Sequence, residues 1–101
     1  MATTPKVLFR GAATTTVGTT LYTVPASTTT SVSSIAVVNT ASSSATFTLG
    51  IAGTSLQTTS SVAANTTVYI DLKQTLIATN TITGGASAIT VSFHISGVEI
   101  V

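Results

Sequence analysis

The sequence predicts an all-β fold: a single-domain antiparallel β-sandwich, jelly-roll or immunoglobulin-like, of about seven or eight strands. Three observations predict it. Apolar and polar residues alternate at period two along most of the chain. The composition favours strands, with 24 Thr and 13 Ser among 101 residues and almost no Glu, Lys, Gln or Arg to drive helices. Turn clusters recur at the ~8–12 residue spacing of small all-β domains. No stretch reads as a crossover helix, so the strands pair antiparallel.

Residues 1–5 read as a flexible tail and residues 6–101 as the domain. The first strand is expected at Lys6–Arg10. The second is expected at Thr19–Val24 and stops at Pro25, which cannot donate to a ladder. The third, about Thr30–Asn39, changes phase between Val32 and Ile35. A bulge near Ser33-Ser34 accounts for the shift, and so does burial on both faces. Asn39–Ser44 is a turn of small polar residues.

Ala45, Phe47, Leu49 and Ile51 alternate cleanly with Thr46, Thr48 and Gly50, which defines a half-buried fourth strand. Ala52-Gly53-Thr54 breaks it. Ser55–Val62 is an edge strand or a loop, and Ala63-Ala64-Asn65 is a turn. Val68, Ile70 and Leu72 are expected inward, with Tyr69, Asp71 and Lys73 outward. Leu76 and Ile77 fall in a connection before a short strand at Thr81–Thr83. Gly84-Gly85 reads as a positive-φ turn. The last strand lines one face with Ile89, Val91, Phe93 and Ile95. Ser96-Gly97 is expected to reset its phase, with Val98 and Ile100 becoming the apolar pair and Glu99 pointing outward or contacting a neighbouring subunit.

Composition excludes several kinds of chemistry. No cysteine is present, so disulfides, thiolate metal sites and cysteine nucleophiles are absent. Lys6, Arg10, Asp71, Lys73 and Glu99 are the only charged side chains, and the net charge is +1. Three scattered bases do not neutralise a run of phosphates, so no nucleic-acid partner is expected. No apolar run approaches the ~20 residues of a membrane span, and no membrane partner is expected. The N-terminus lacks the apolar core of a secretion signal.

His94 is the only histidine and falls in phase with Thr90 and Ser92, which reads as a solvated or interface position. A hydrolase acting through Asp71, Glu99 and His94 would need the three to converge in a cleft. No Gly-x-Ser-x-Gly elbow and no acidic calcium-loop spacing occur. No catalytic, cofactor-binding or metal-ligating residue is assigned, and no cofactor is expected. Tyr22 and Tyr69 are the aromatics that could act as sugar platforms.

Leu21-Tyr22-Thr23-Val24-Pro25-Ala26, Ser33-Ser34-Ile35-Ala36-Val37-Val38-Asn39-Thr40, Ala45-Thr46-Phe47-Thr48-Leu49 and the ending Val91-Ser92-Phe93 through Gly97-Val98-Glu99-Ile100 together resemble small β-rich structural proteins of tailed bacteriophages. This chain has fewer charges than such modules. The resemblance implies a virion component made in the host bacterial cytoplasm: a capsid decoration or cement protein, or alternatively a tail, baseplate or fibre module that binds host-surface glycans. It implies as partners the major capsid protein or other virion proteins, and a homo-oligomer, trimer or dimer. Lys6, Arg10, Tyr69 and Glu99 are the expected partner contacts, with residues 1–10 either a candidate arm or a frayed terminus followed by one edge strand.

Overall fold

The computed structural model describes residues 3–101, apart from the side chain of Leu72. The expected inward position of Leu72, and of Met1 and Ala2 in a flexible tail, lie outside the described residues. The described residues form eight strands: β1 (Thr3–Ala12), β2 (Thr20–Thr23), β3 (Thr29–Asn39), β4 (Ala45–Ile51), β5 (Thr54–Val62), β6 (Thr66–Leu76), β7 (Thr81–Ala86) and β8 (Val91–Ile100). They form two four-stranded sheets, ordered β1-β8-β3-β6 and β2-β7-β4-β5.

The pairing has a simple rule. β1 pairs with β8, β2 with β7, β3 with β6 and β4 with β5, all antiparallel. That is one long hairpin rolled up on itself, closed by the added pairs β3–β8 and β4–β7. This order is the jelly roll, so the immunoglobulin-like alternative does not apply.

Only β4–β5 is a hairpin within one sheet, and it turns through Ala52 (φ 52°) and Gly53 (φ 80°). Positive φ at both central residues matches the right-handed strand twist. Every other connection crosses between sheets, which places the β1–β2, β3–β4, β5–β6 and β7–β8 loops at one end. Thr3 and Ile100, paired across β1 and β8, lie at the other.

The core comes from the inward phases of both sheets. Val32, Ile35 and Val37 meet Leu49, Ile82, Val91, Phe93 and Ile95, all fully buried. Phe47 and Phe93 pack edge-to-face across it, with centroids 6.3 Å apart and planes at 70°. Leu76, expected in a connection, is the buried last residue of β6. Ile89, expected on the apolar face of the last strand, precedes β8 and is 70% exposed in the β7–β8 loop. Ser55–Val62 falls within β5, an edge strand of the second sheet.

Thr3–Pro5, expected in the tail, form the start of β1 and pair with Ile100, Glu99 and Val98. Pro5 is tolerated because β1 is an edge strand. Residues 3–10 are therefore sheet, and the arm expected there does not project.

Gly84 and Gly85 do not turn the chain. Both lie within β7, and neither has a positive φ. They answer to space instead. A Cβ on Gly84 would sit 2.8 Å from Leu49 Cδ2. One on Gly85 would strike the carbonyl oxygen of Thr16, whose loop folds over it.

The bulge expected at Ser33-Ser34 is present: Val32 pairs with Gly97 and Ser34 with Ser96, leaving Ser33 over. β1 carries a matching shift, with Val7 on Ser96 and Phe9 on Ile95, and the leftover Leu8 turns into the core. β8 runs between these two bulged strands without a break. Its buried phase continues from Val91, Phe93 and Ile95 to Gly97, so the expected phase reset does not occur.

Gly97 is small because the bulges crowd it. An added Cβ would meet Ser31 O and, at 2.9 Å, Leu8 Cδ1. Since the Ser31 oxygen is backbone, Gly97→Ala is expected to cost about 1–3 kcal/mol, read from urea unfolding. A change below about 0.5 kcal/mol would show that β3 yields at this point.

Candidate functional site

The four expected contact residues separate into two pairs. Lys6 and Glu99 meet at the terminal end of the sandwich, and Arg10 and Tyr69 share a row on its outer face.

The uninterrupted phase of β8 decides the first site. With no reset at Gly97, Glu99 falls in the inward phase, and its side chain is only 13% exposed. The outward position expected for it is thus corrected. Its carboxylate bridges both sheets. Tyr22, on β2 of the second sheet, donates its hydroxyl to Glu99 Oε2 at 2.5 Å. Lys6 Nζ reaches Oε1 and Oε2, both at 3.3 Å. Thr30 Oγ1 lies 2.9 Å from the Tyr22 oxygen. Since the tyrosine proton is given to Glu99, Thr30 is the donor there.

The Tyr22 hydrogen bond holds the Glu99 carboxyl below the usual carboxylate range. Burial opposes it, and the Lys6 hydrogen bond and charge assist. Burial first, then the hydrogen bond to the Glu99 carboxylate, pushes Tyr22 above the ordinary phenol value. Tyr22 is therefore not a free sugar platform. The cluster is a clasp joining β1 and β8 to β2, and every polar group in it has a partner.

The second site is a row across the first sheet. Arg10 pairs with His94, His94 with Ala36, and Ala36 with Tyr69. The next outward row runs Val7, Ser96, Ser34, Asp71. Arg10, His94, Tyr69 and Asp71 are all exposed, and Tyr69 reaches 79%.

Asp71 and His94 thus lie outside, while Glu99 is turned inward on the same strand as His94. The three do not converge. Among the described residues no group of three His, Cys, Asp or Glu is placed to hold a metal ion.

Two shallow grooves are open to solvent. One, of about 320 Å³, lies between β5 and β6 beside Leu56 and Gln74. The other, of about 270 Å³, lies between Val17 and Thr46, Thr48 and Thr59. No titratable side chain lines either one, so neither supplies an acid or a base.

One polar residue escaped sequence reasoning. Asn39 closes β3 and is fully buried. Its Nδ2 donates to the carbonyls of Ser43, Val62 and Ala63, and its Oδ1 accepts from Ala41 N and Thr90 Oγ1. It ties three loops together. The signal was its phase, since Ile35, Val37 and Asn39 share one face.

Fold and clusters together define a jelly-roll domain whose buried polar groups are structural and whose accessible chemistry lies on one sheet face. Comparison of the chain with family models, with curated proteins and with solved structures gives no match.

Proposed function

We propose that this chain is a structural protein of a bacteriophage virion, a decoration or cement protein that binds the major capsid protein and stabilises the head shell. The observation that carries this reading is where the charges are. All five charged side chains lie on β1, β6 and β8 of the first sheet. The second sheet and every loop have none.

The outer face of the second sheet is hydroxyl instead, with Thr46 and Thr48 on β4 and Thr81 and Thr83 on β7, all half-buried. Such a face loses little on desolvation beyond hydroxyl hydration, and a partner's backbone groups replace those hydrogen bonds. Contacts of that kind are individually weak. Repetition over a symmetric shell supplies avidity.

Quantifying copies in purified particles tests the reading. A decoration protein is present on the order of hundreds of copies, as icosahedral repetition requires. A handful confined to tails would overturn it in favour of the second reading, a tail, baseplate or fibre module that binds host-surface glycans. One observation favours that alternative: Tyr69 presents a ring 79% exposed on a rigid strand. It predicts glycan binding that Tyr69→Ala abolishes.

A further inference from the structure

We propose that the outer face of the first sheet is self-complementary and pairs with the same face of a second copy of this chain. This does not depend on the virion reading. Self-complementarity comes from the order of residues across the four strands. The basic residue, Arg10, is on β1 at one edge. The aromatic Tyr69 and the acidic Asp71 are on β6 at the opposite edge. Small residues fill the middle, Ala36 in one row and Ser96 and Ser34 in the next.

Consider a twofold axis parallel to the strands, running between β8 and β3. It exchanges β1 with β6 and β8 with β3 across the interface, and each row meets its own copy. Arg10 then lies over Tyr69 of the second copy, with Asp71 two residues along the same strand, about 7 Å away. One guanidinium can stack on the ring and reach the carboxylate. His94 lies over Ala36, a large side chain over a small one, and Ser96 over Ser34.

By symmetry each contact is made twice, as an isologous interface requires. Lys73 sits two residues beyond Asp71, farther from the row that Arg10 occupies. Face-to-face sheets pack about 10 Å apart with strands within ~30°, so the sheet twist is compatible with this stacking. Arg10 and Asp71 have no ion-pair partner among the described residues, whereas Lys6 and Glu99 have each other. The two charges are thus available for a partner, and this chain carries the matching pair.

Sedimentation velocity of the full chain, from micromolar to about 0.5 mM, tests the proposal, because small polar interfaces reach only micromolar Kd. The expected result is a monomer–dimer equilibrium that weakens with added salt. Arg10→Glu and Asp71→Arg should each raise Kd about tenfold or more, since each places like charges together twice. The double variant restores both ion pairs with reversed sign but not the stacking on Tyr69, so its Kd should fall well below that of either single variant without fully reaching the original.

A chain that stays monomeric throughout overturns the proposal. So does a dimer indifferent to the single reversals, which would point to strand addition at an open sheet edge, and so does a double variant that fails to recover. Thermal unfolding confirms that each variant is folded. Should either reversal fail that check, Tyr69→Ala must weaken the dimer in its place, and an unchanged Kd would overturn the proposal. Particle copy number bears on the virion reading and leaves this result untouched.

Discussion

Asn39→Asp is expected to destabilise the domain by about 3–5 kcal/mol at neutral pH, more than Asn39→Ala does. The substitution keeps the shape and exchanges donors for an acceptor. In the native protein Nδ2 faces three carbonyl oxygens, Ser43 at 2.9 Å and Val62 and Ala63 at 3.3 Å each. A carboxylate there meets three partial negative charges at a site 1% exposed.

Only the contacts to Ala41 N and Thr90 Oγ1 suit the new group. Alanine loses the same hydrogen bonds and leaves carbonyls unsatisfied, but it buries no charge. Burial raises the pKa of the introduced acid, so its penalty is full above that raised value, fades as pH falls through it, and is gone below the ordinary aspartate value of about 3.9. Urea unfolding of the three proteins at neutral and acid pH measures this. Equal losses for the two variants at neutral pH would mean that water enters the loop end and solvates the carboxylate.

The alternation of β4 was legible because one strand face is buried and the other is not, and period two records that difference directly. The bulge at Ser33 was legible for the same reason, since a change of phase between Val32 and Ile35 demands an extra residue. The glycines misled. Gly84, Gly85 and Gly97 interrupt the pattern as turn residues would, yet all three are strand residues made small by what packs on them. The relevant neighbours, Leu49, Thr16 and Ser31, are 35 or more residues away in sequence, so no local pattern contains them.

A phase break at Gly97 would place Glu99 outside and leave the clasp without an anchor, whereas the unbroken phase of β8 turns Glu99 inward. The Tyr22 contact is not legible either, because its partner is 77 residues distant. The jelly-roll order was beyond reach for a related reason. Strand number and antiparallel pairing follow from local patterns, whereas partner choice is a property of the rolled hairpin as a whole. The outward phase of Tyr69 is legible in the alternation of its strand, but its row with Arg10 follows only from the register through β8 and β3.

Tyr22→Phe is expected to cost about 1.5–3 kcal/mol near neutral pH, the range for a hydrogen bond to a charged group. It removes one oxygen, and with it the short bond to Glu99 and the acceptor for Thr30. Lys6→Ala should cost at most about 1 kcal/mol, because the lysine side chain is 48% exposed and water screens its charge. The two variants therefore rank the halves of the clasp.

The pH dependence separates a clasp from simple packing. Glu99 has a folded pKa below its ordinary value of 4.5. Its stabilisation is fully present above that ordinary value and is lost as pH falls through the folded one. Tyr22 has a folded pKa above its ordinary value of 10.0, so its stabilisation is present below that value and is lost as pH rises through the folded pKa. Stability should therefore hold level between the two ordinary values and fall on both sides.

In Tyr22→Phe the alkaline fall due to this group disappears. The acid fall becomes shallower, because the largest cause of the Glu99 depression is gone. Denaturation midpoints across the pH range read both limbs. Parallel curves for the two proteins would show that the hydroxyl contributes nothing to the Glu99 carboxylate, and the bond joining the two sheets at this end would have to be sought elsewhere.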